Sequence, residues 1–326
     1  MEGDDDLARG GPAHDLAERR TRDIAGAADA LLAGGLVIMP TETVYGLAAR
    51  AADPAAVTRL FEAKGRPRFN PLIAHVSDAA RARQIAVLDE RAEALIATFW
   101  PGPLTIVAPY REGSGVCDLA RAGLDTVALR APAHPVARGL LAAVGEPLVA
   151  PSANRSGRPS PTTFAAATLE TGEAAGAALD GGPCAIGLES TVVSLLDGPA
   201  RLLRPGSVTR AEIERVIGPL AEAETDAGRS PGRLARHYAP DAPVRLGVTE
   251  PHDTEIYLAF GATSARGRVF NLSPSGDLRE AAANLFAYLR RADALSPAAI
   301  AVAPIPSEGL GEAINDRLAR AAGKIG

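Results

Sequence analysis

Residues 53–76 read DPAAVTRLFEAKGRPRFNPLIAHV. Asp53-Pro54 opens a helix, with aspartate as N-cap and proline at the first helical position, where its missing N–H costs nothing. The helix is expected to run to about Lys64. Gly65, Pro67 and Pro71 then fix a loop that carries three cations, Lys64, Arg66 and Arg68. Leu72 to Val76 follows as a buried strand. Helix, fixed loop and strand in succession put the chain in the α/β class.

The same alternation extends both ways. Upstream, Ile24, Ala27, Ala28, Leu31 and Leu32 have helical spacing, Gly34-Gly35 ends that helix, and Leu36 to Met39 reads as a strand stopped by Pro40. Downstream come a helix around 89–98, a turn at Pro101-Gly102-Pro103, and strands at Leu104–Ala108 and Thr126–Leu129. A helix Pro135–Val144 capped by Gly145, a short strand Leu148–Ala150, and late strands Val192–Leu196 and Leu202-Leu203 complete this part. Thr209 and Glu212 form a capping box for a helix that stops at Gly218.

Residues 219–243 are poor in large apolar side chains and read as an interdomain linker. The pattern then restarts. Strands are expected at Val244–Val248, Glu255–Phe260, Arg268–Leu272 and Ile300–Ala303. An Asp277-capped helix and a last helix from about Gly311 accompany them. The organisation is a frayed stretch over 1–20, a larger α/β domain over 21–218, the linker, and a smaller doubly-wound-type α/β domain over 244–326.

Net charge is −5 and aromatics are 4% of 326 residues, which argues against a dedicated nucleic-acid binder or a base-stacking platform. The two cysteines, Cys117 and Cys184, form no CxxC pair and read as small buried apolar residues. The acidic start, Met1 to Asp6, is not a signal peptide, and no apolar run reaches membrane-spanning length. The cytoplasm is the expected location. There is no Walker-type GxxxxGK[ST], GxSxG or HExxH.

Four polar segments carry the chemical signal. Pro40-Thr41-Glu42-Thr43-Val44-Tyr45-Gly46 sits at the carboxyl end of a buried strand, where ligands of open α/β sheets bind. The cations of 64–68 with Asn70 suit either a solvated helix end or a triphosphate clamp. Ala150-Pro151-Ser152-Ala153-Asn154 follows another strand. Glu189-Ser190-Thr191-Val192-Val193 enters a strand, and Leu203-Arg204-Pro205-Gly206 holds one arginine between rigid neighbours. Each alone is an ordinary turn.

In this order, from about residue 22 to 326, the segments resemble the YrdC/Sua5 family. Its hallmark is a KxR pair followed by SxN, here Lys64/Arg66 and Ser152/Asn154. TETVYG, NPLIAH, ESTVV and LRPG match as well, and HYAP, NLSPSGD and GLGEAINDRL look like the long Sua5 type. The resemblance implies a twisted open sheet with flanking helices plus a smaller Rossmann-like domain. It implies synthesis of threonylcarbamoyl-AMP from L-threonine, bicarbonate and ATP, for threonylcarbamoylation of tRNA adenosine 37. It places Thr43, His75, Arg130, Ser152 and Ser190 around threonine. Arg66, Asn70, Thr126, Asn154, Thr162, Arg204 and Tyr238 would contact ATP, with Ser160 open as an alternative to Thr162. Lys64 would neutralise phosphate charge. Lys64, Arg66, Ser152 and Asn154 form the expected catalytic set. Mg²⁺ would be held mainly by phosphates, with no protein metal site. A tRNA threonylcarbamoyltransferase would take the product downstream, and a weak direct tRNA contact is left open.

Ala48-Ala49-Arg50 and Arg233-Leu234-Ala235-Arg236 depart from the family pattern. The linker with Tyr238 is expected to act as a lid, so that cleavage at residue 225 depresses turnover. Rival readings are a hydrogenase-maturation type carbamoyl transferase, a non-catalytic RNA-binding module, and a regulatory nucleotide site in the second domain near Gly309-Leu310-Gly311.

Overall fold

A computed structural model describes residues 20–21, 23–221 and 237–323. The frayed stretch expected over 1–20 lies almost wholly outside these residues. So does most of the linker, residues 222–236, with Arg233–Arg236 and the proposed cleavage point.

The first domain holds ten strands: β1 (Arg20–Thr21), β2 (Val37–Met39), β3 (Gly46–Arg50), β4 (Ile73–His75), β5 (Leu104–Pro109), β6 (Thr126–Arg130), β7 (Leu148–Val149), β8 (Ala177–Leu179), β9 (Thr191–Ser194) and β10 (Arg201–Arg204). They form one mixed sheet in the order β1-β8-β2-β3-β7-β4-β6-β5-β9-β10. Its central strands are buried almost throughout, which is why they read as continuous apolar runs rather than alternating ones. Helices pack on them through two apolar clusters. One joins Leu60 and Phe61 of the helix Pro54–Lys64 to Leu47, Leu72 and Ile106; the other joins Leu31, Leu140 and Leu141 to Met39 and Leu148.

The second domain has β11 (Val244–Leu246), β12 (Ile256–Ala259), β13 (Arg268–Asn271) and β14 (Ile300–Val302), all parallel, in the order β11-β14-β12-β13. The helices Leu278–Asp293 and Leu310–Ala321 pack on the face carrying Ile256, Leu258, Ile300 and Val302. The other face, with Tyr257, Ala259 and Ala301, is covered by loop residues and neighbouring strand side chains. The small parallel α/β domain is therefore present, with its helices on one side rather than both. No helix of the described residues is long and apolar enough to cross a membrane.

Several short elements differ from the sequence reading. Ala48-Ala49-Arg50 is not an irregular loop but the end of β3, antiparallel to β2, and Arg50 makes a two-pronged pair with Glu146 at 3.0 Å on each arm. The helices Ala79–Ile85 and Phe164–Thr171 and the strand β8 were not anticipated. Their alanine-rich sequences carry little apolar periodicity, so tertiary packing decides them. At the two ends of the expected linker, Ala221 is bridged to Arg201, and His237 and Tyr238 are buried.

The two domains meet through charged and close-packed contacts. Arg290 pairs with Glu170 at 2.8 Å, Arg158 with Asp293 at 3.3 Å, and Arg210 with Glu312 at 3.1 Å. Gly187 has φ +76°, and a Cβ there would stand 2.6 Å from the Ala282 carbonyl oxygen, so only glycine admits this approach.

Candidate active site

The sheet brings the four polar segments to one place. β4 and β6 are parallel neighbours, and their register sets His75 directly beside Arg130. β7 lies on the other side of β4, and the chain leaving it delivers Ser152, which bridges back to Gly46 of β3. β5 pairs with β9, so Thr105 of β5 meets Ser190, just before β9, with their hydroxyls 2.7 Å apart. β10 then carries Arg204 alongside. Its Nε donates to the Ser190 carbonyl at 3.0 Å and its Nη2 to the Ser190 hydroxyl at 3.1 Å. The turn after β10 depends on Gly206, where a Cβ would stand 2.4 Å from the Thr191 nitrogen.

The cavity so formed is lined by Thr43, Arg66, His75, Arg130, Ser152, Ser190, Arg204 and Tyr238 among the residues named from the sequence. Val44, Leu72, Ile73, Ala150, Pro151, Glu189 and His237 complete its wall. Its volume is about 50 Å³. Lys64, Asn70, Thr126, Asn154 and Thr162 are buried but do not line the cavity. Lys64 stands behind the SxN turn, its Nζ donating to the Ser152 carbonyl at 2.5 Å and to the Asn154 carbonyl. Asn154 gives its amide hydrogens to the carbonyls of Arg155 and Arg158. Thr126 opens β6, four residues before Arg130, roughly 13 Å away at strand rise. The Thr162 carbonyl accepts from the Cys184 N–H, while the Ser160 hydroxyl donates to Glu189, on the cavity wall, at 2.5 Å.

Two acidic residues organise the cations, and the sequence reading gave neither a role of this kind. Glu42 accepts from Arg130 Nη2 at 2.6 Å and from the N–H groups of Ala133 and His134. Arg130 Nη1 in turn donates to the Thr43 hydroxyl at 2.9 Å. Burial pushes the Glu42 carboxyl up, but Arg130 and these hydrogen bonds outweigh it and hold the group below its usual range. Glu189 accepts from Arg317 Nε at 2.8 Å across the domain boundary, and Arg317 and Arg204 likewise outweigh burial to hold it low. No motif marked these pairs, because each partner lies 88 or more residues away.

Burial dominates the remaining groups. It lowers His75 to about 3, with Arg130 adding to the effect, and lowers His237 to about 3, so both imidazoles are neutral at pH 7. It brings Arg66 down to about 10 and Lys64 well below its ordinary value, the Arg66 charge contributing to the latter. Tyr238 is pushed up to about 12. This tyrosine has φ +60°, a conformation a bulky residue rarely adopts, and it packs 5.3 Å from Phe286 of the second domain.

Among the described residues, Arg66 Nε, Asn70 Oδ1, His75 Nδ1, Asn154 Oδ1 and His237 Nδ1 are buried with no hydrogen-bond partner. Arg81 Nε, Arg158 Nε, Ser207 Oγ and Arg290 Nε also lack a hydrogen-bond partner, away from the cavity wall. But Arg66, His75 and His237 line it, and native interiors pair such atoms almost always, so the cavity suits a polar ligand. Three arginines on the wall give that ligand an anionic character. Among the described residues no group of three or more His, Cys, Asp or Glu could hold a metal ion.

A family model described as "Telomere recombination", covering Sua5, YciO and YrdC, matches residues 29–206. A second, "Threonylcarbamoyl-AMP synthase, C-terminal domain", matches residues 208–323. The chain is 40% identical to the threonylcarbamoyl-AMP synthase of Pyrococcus abyssi over 312 residues, 89% of this chain and 91% of the relative. It is 38% identical to that of Bacillus subtilis over 322 residues, 92% of this chain and 93% of the relative. The crystal structure of Pyrococcus abyssi Sua5 complexed with L-threonine superposes with a TM-score of 0.86 at 39% identity, covering 94% of this chain and 96% of that one.

Proposed function

The chain belongs to the YrdC/Sua5 family, and from that premise we infer that it is a nucleotidyltransferase making L-threonylcarbamoyladenylate, pyrophosphate and water from L-threonine, bicarbonate and ATP. The observation that carries the reading is the cavity itself, where three arginines and a set of unpartnered buried polar atoms converge.

The residues divide the work by position. Arg130, oriented by Glu42, and the hydroxyls of Thr43, Ser152 and Ser190 form the end that suits a small hydroxylated amino acid. Arg130 would pair with its carboxylate. Neutral His75 offers Nδ1 toward the amine. Arg66 and Arg204 form the end that suits the nucleotide phosphates. Lys64 acts indirectly, fixing the Ser152 and Asn154 carbonyls and so the shape of the SxN turn. The threonine amine attacks bicarbonate and water leaves. A carbamate oxygen then attacks the α-phosphorus and pyrophosphate departs. Such steps need positioning and charge neutralisation more than a strong protein base. The carboxylates near the cavity are engaged with arginines and form no metal cage, so magnesium would come with the nucleotide as part of the substrate.

At about 50 Å³ the cavity is far below the several hundred Å³ of sites that enclose such ligands. To hold ATP the cavity must widen, and in this reading His237 and Tyr238, which line it, act as a lid. The product would pass to a tRNA-modifying transferase, and cytoplasmic placement follows from that role.

The test mixes purified protein with ATP, Mg²⁺, bicarbonate and radiolabelled threonine, with Arg66→Ala and Asn154→Ala beside it. Threonine-dependent pyrophosphate release is expected, falling by about 10²-fold or more in Arg66→Ala. Salt-sensitive tRNA binding without pyrophosphate release would replace the enzyme by a binding module.

A further inference from the structure

We propose that Arg317, on the last helix of the second domain, is a positioning residue for the nucleotide: it holds the Glu189 carboxylate in the cavity wall, so that this charge neither repels the phosphates nor competes with them for Arg204. The proposal rests on the reading of the cavity as a nucleotide site and deepens it.

Arg317 is fully buried although it is an arginine on a terminal helix. Each arm of its guanidinium is used. Nε donates to Glu189 Oε2 at 2.8 Å, Nη1 to Asp316 Oδ2 at 2.6 Å, and Nη2 to the Pro205 carbonyl at 3.0 Å. Its plane centre lies 5.3 Å from the centre of the Tyr238 ring. One side chain from the second domain thus touches an acidic wall residue, the turn after Arg204, and an aromatic ring of the cavity wall. The second oxygen of Glu189 accepts from Ser160, so both oxygens are occupied from behind.

Charge explains why this matters. Glu42 and Glu189 are the acidic residues closest to the wall cations, and Glu42 is taken up by Arg130. Glu189 precedes Ser190, to which Arg204 is hydrogen-bonded, so Arg204 feels its charge. Removing Arg317 leaves a buried carboxylate beside the proposed phosphate end. It must then draw on Arg204, repel the nucleotide, or take up a proton. The charged and titratable groups facing Glu189 are Arg317 from the last helix, Arg204 from β10, and His237 and Tyr238 from the cavity wall, with the Ser160 hydroxyl from the loop after the SxN turn.

The experiment compares the full-length wild type, Arg317→Met, Glu189→Gln and the double variant. KM for ATP and kcat are measured by pyrophosphate release between pH 6 and 8.5, with thermal midpoints recorded. Arg317→Met is expected to raise KM for ATP by about tenfold or more at pH 8, with a smaller change in kcat. The defect should shrink as pH falls and Glu189 takes up a proton. The double variant should return to within about threefold of Glu189→Gln at every pH, since the offending charge is gone. A double variant no better than Arg317→Met, or a pH-independent defect, assigns Arg317 to domain packing alone and overturns the proposal. Should Arg317→Met melt below the assay temperature, Arg317→Lys carries the test. It keeps the charge, so KM for ATP stays within about threefold of wild type, and a tenfold rise overturns the charge role. A wild type that releases no pyrophosphate with ATP, bicarbonate and threonine refutes the activity instead.

Discussion

Replacing Glu42 by glutamine tests how the amino-acid end of the cavity is held. The pair with Arg130 is 2.6 Å long, and the two side chains are 12% and 4% exposed. Glutamine keeps the shape and an acceptor for the Ala133 or His134 N–H, but removes the charge. At an effective dielectric near 20, charge centres about 4 Å apart interact by about 4 kcal/mol, and breaking one partner of a buried pair costs about 3–5 kcal/mol. A loss of about 3 kcal/mol lowers the melting temperature by roughly 6–12 °C for a domain of this size. The pH dependence is the sharper readout. The native Glu42 carboxyl is held below its ordinary 4.5, so its contribution is present above that value and is lost as pH falls through the native one. Melting curves of wild type and Glu42→Gln, followed by circular dichroism from pH 7 to pH 3, should therefore converge in acid. A gap that stays constant with pH, or is smaller than about 2 °C at pH 7, would show that Arg130 is held by its bonds to Gly102 and Thr43 instead.

Gly206→Ala should disrupt the Arg204 turn, because the new Cβ meets the Thr191 nitrogen at 2.4 Å and the Glu189 carbonyl oxygen at 2.8 Å. A loss of roughly 3 kcal/mol or more in denaturant unfolding, with pyrophosphate release reduced in step, is expected, and an alanine variant of wild-type stability would contradict the packing. His75, with its native value near 3, should show a neutral imidazole by NMR down to about pH 4. Its unfolded form takes up a proton near 6.5, so this histidine reduces stability progressively as pH falls below that value, and a resonance titrating near pH 6.5 in the folded protein would refute the burial argument.

Thr43, Arg66, His75, Ser152, Ser190 and Arg204, grouped by the family resemblance, line one cavity. His75 and Arg204 end strands, Ser152 follows one and Ser190 precedes one, while Arg66 lies in the loop after the helix Pro54–Lys64. What was less legible depended on side chains whose effect is not local. Lys64, the last residue of the helix Pro54–Lys64, turns its amine onto two carbonyls 88 and 90 residues later, a contact no local pattern shows. The helix Phe164–Thr171 and strand β8 escaped because runs of alanine give neither the helical nor the strand period.

The sequence by itself determined the α/β class, because periodicity, caps and turn residues act over a few residues, and the order of its motifs carried the family resemblance. Only the tertiary structure decided how the charges are balanced. Glu42 finds Arg130 and Glu189 finds Arg317 through contacts spanning 88 and 128 residues, and a buried charge is set by whatever the fold brings beside it.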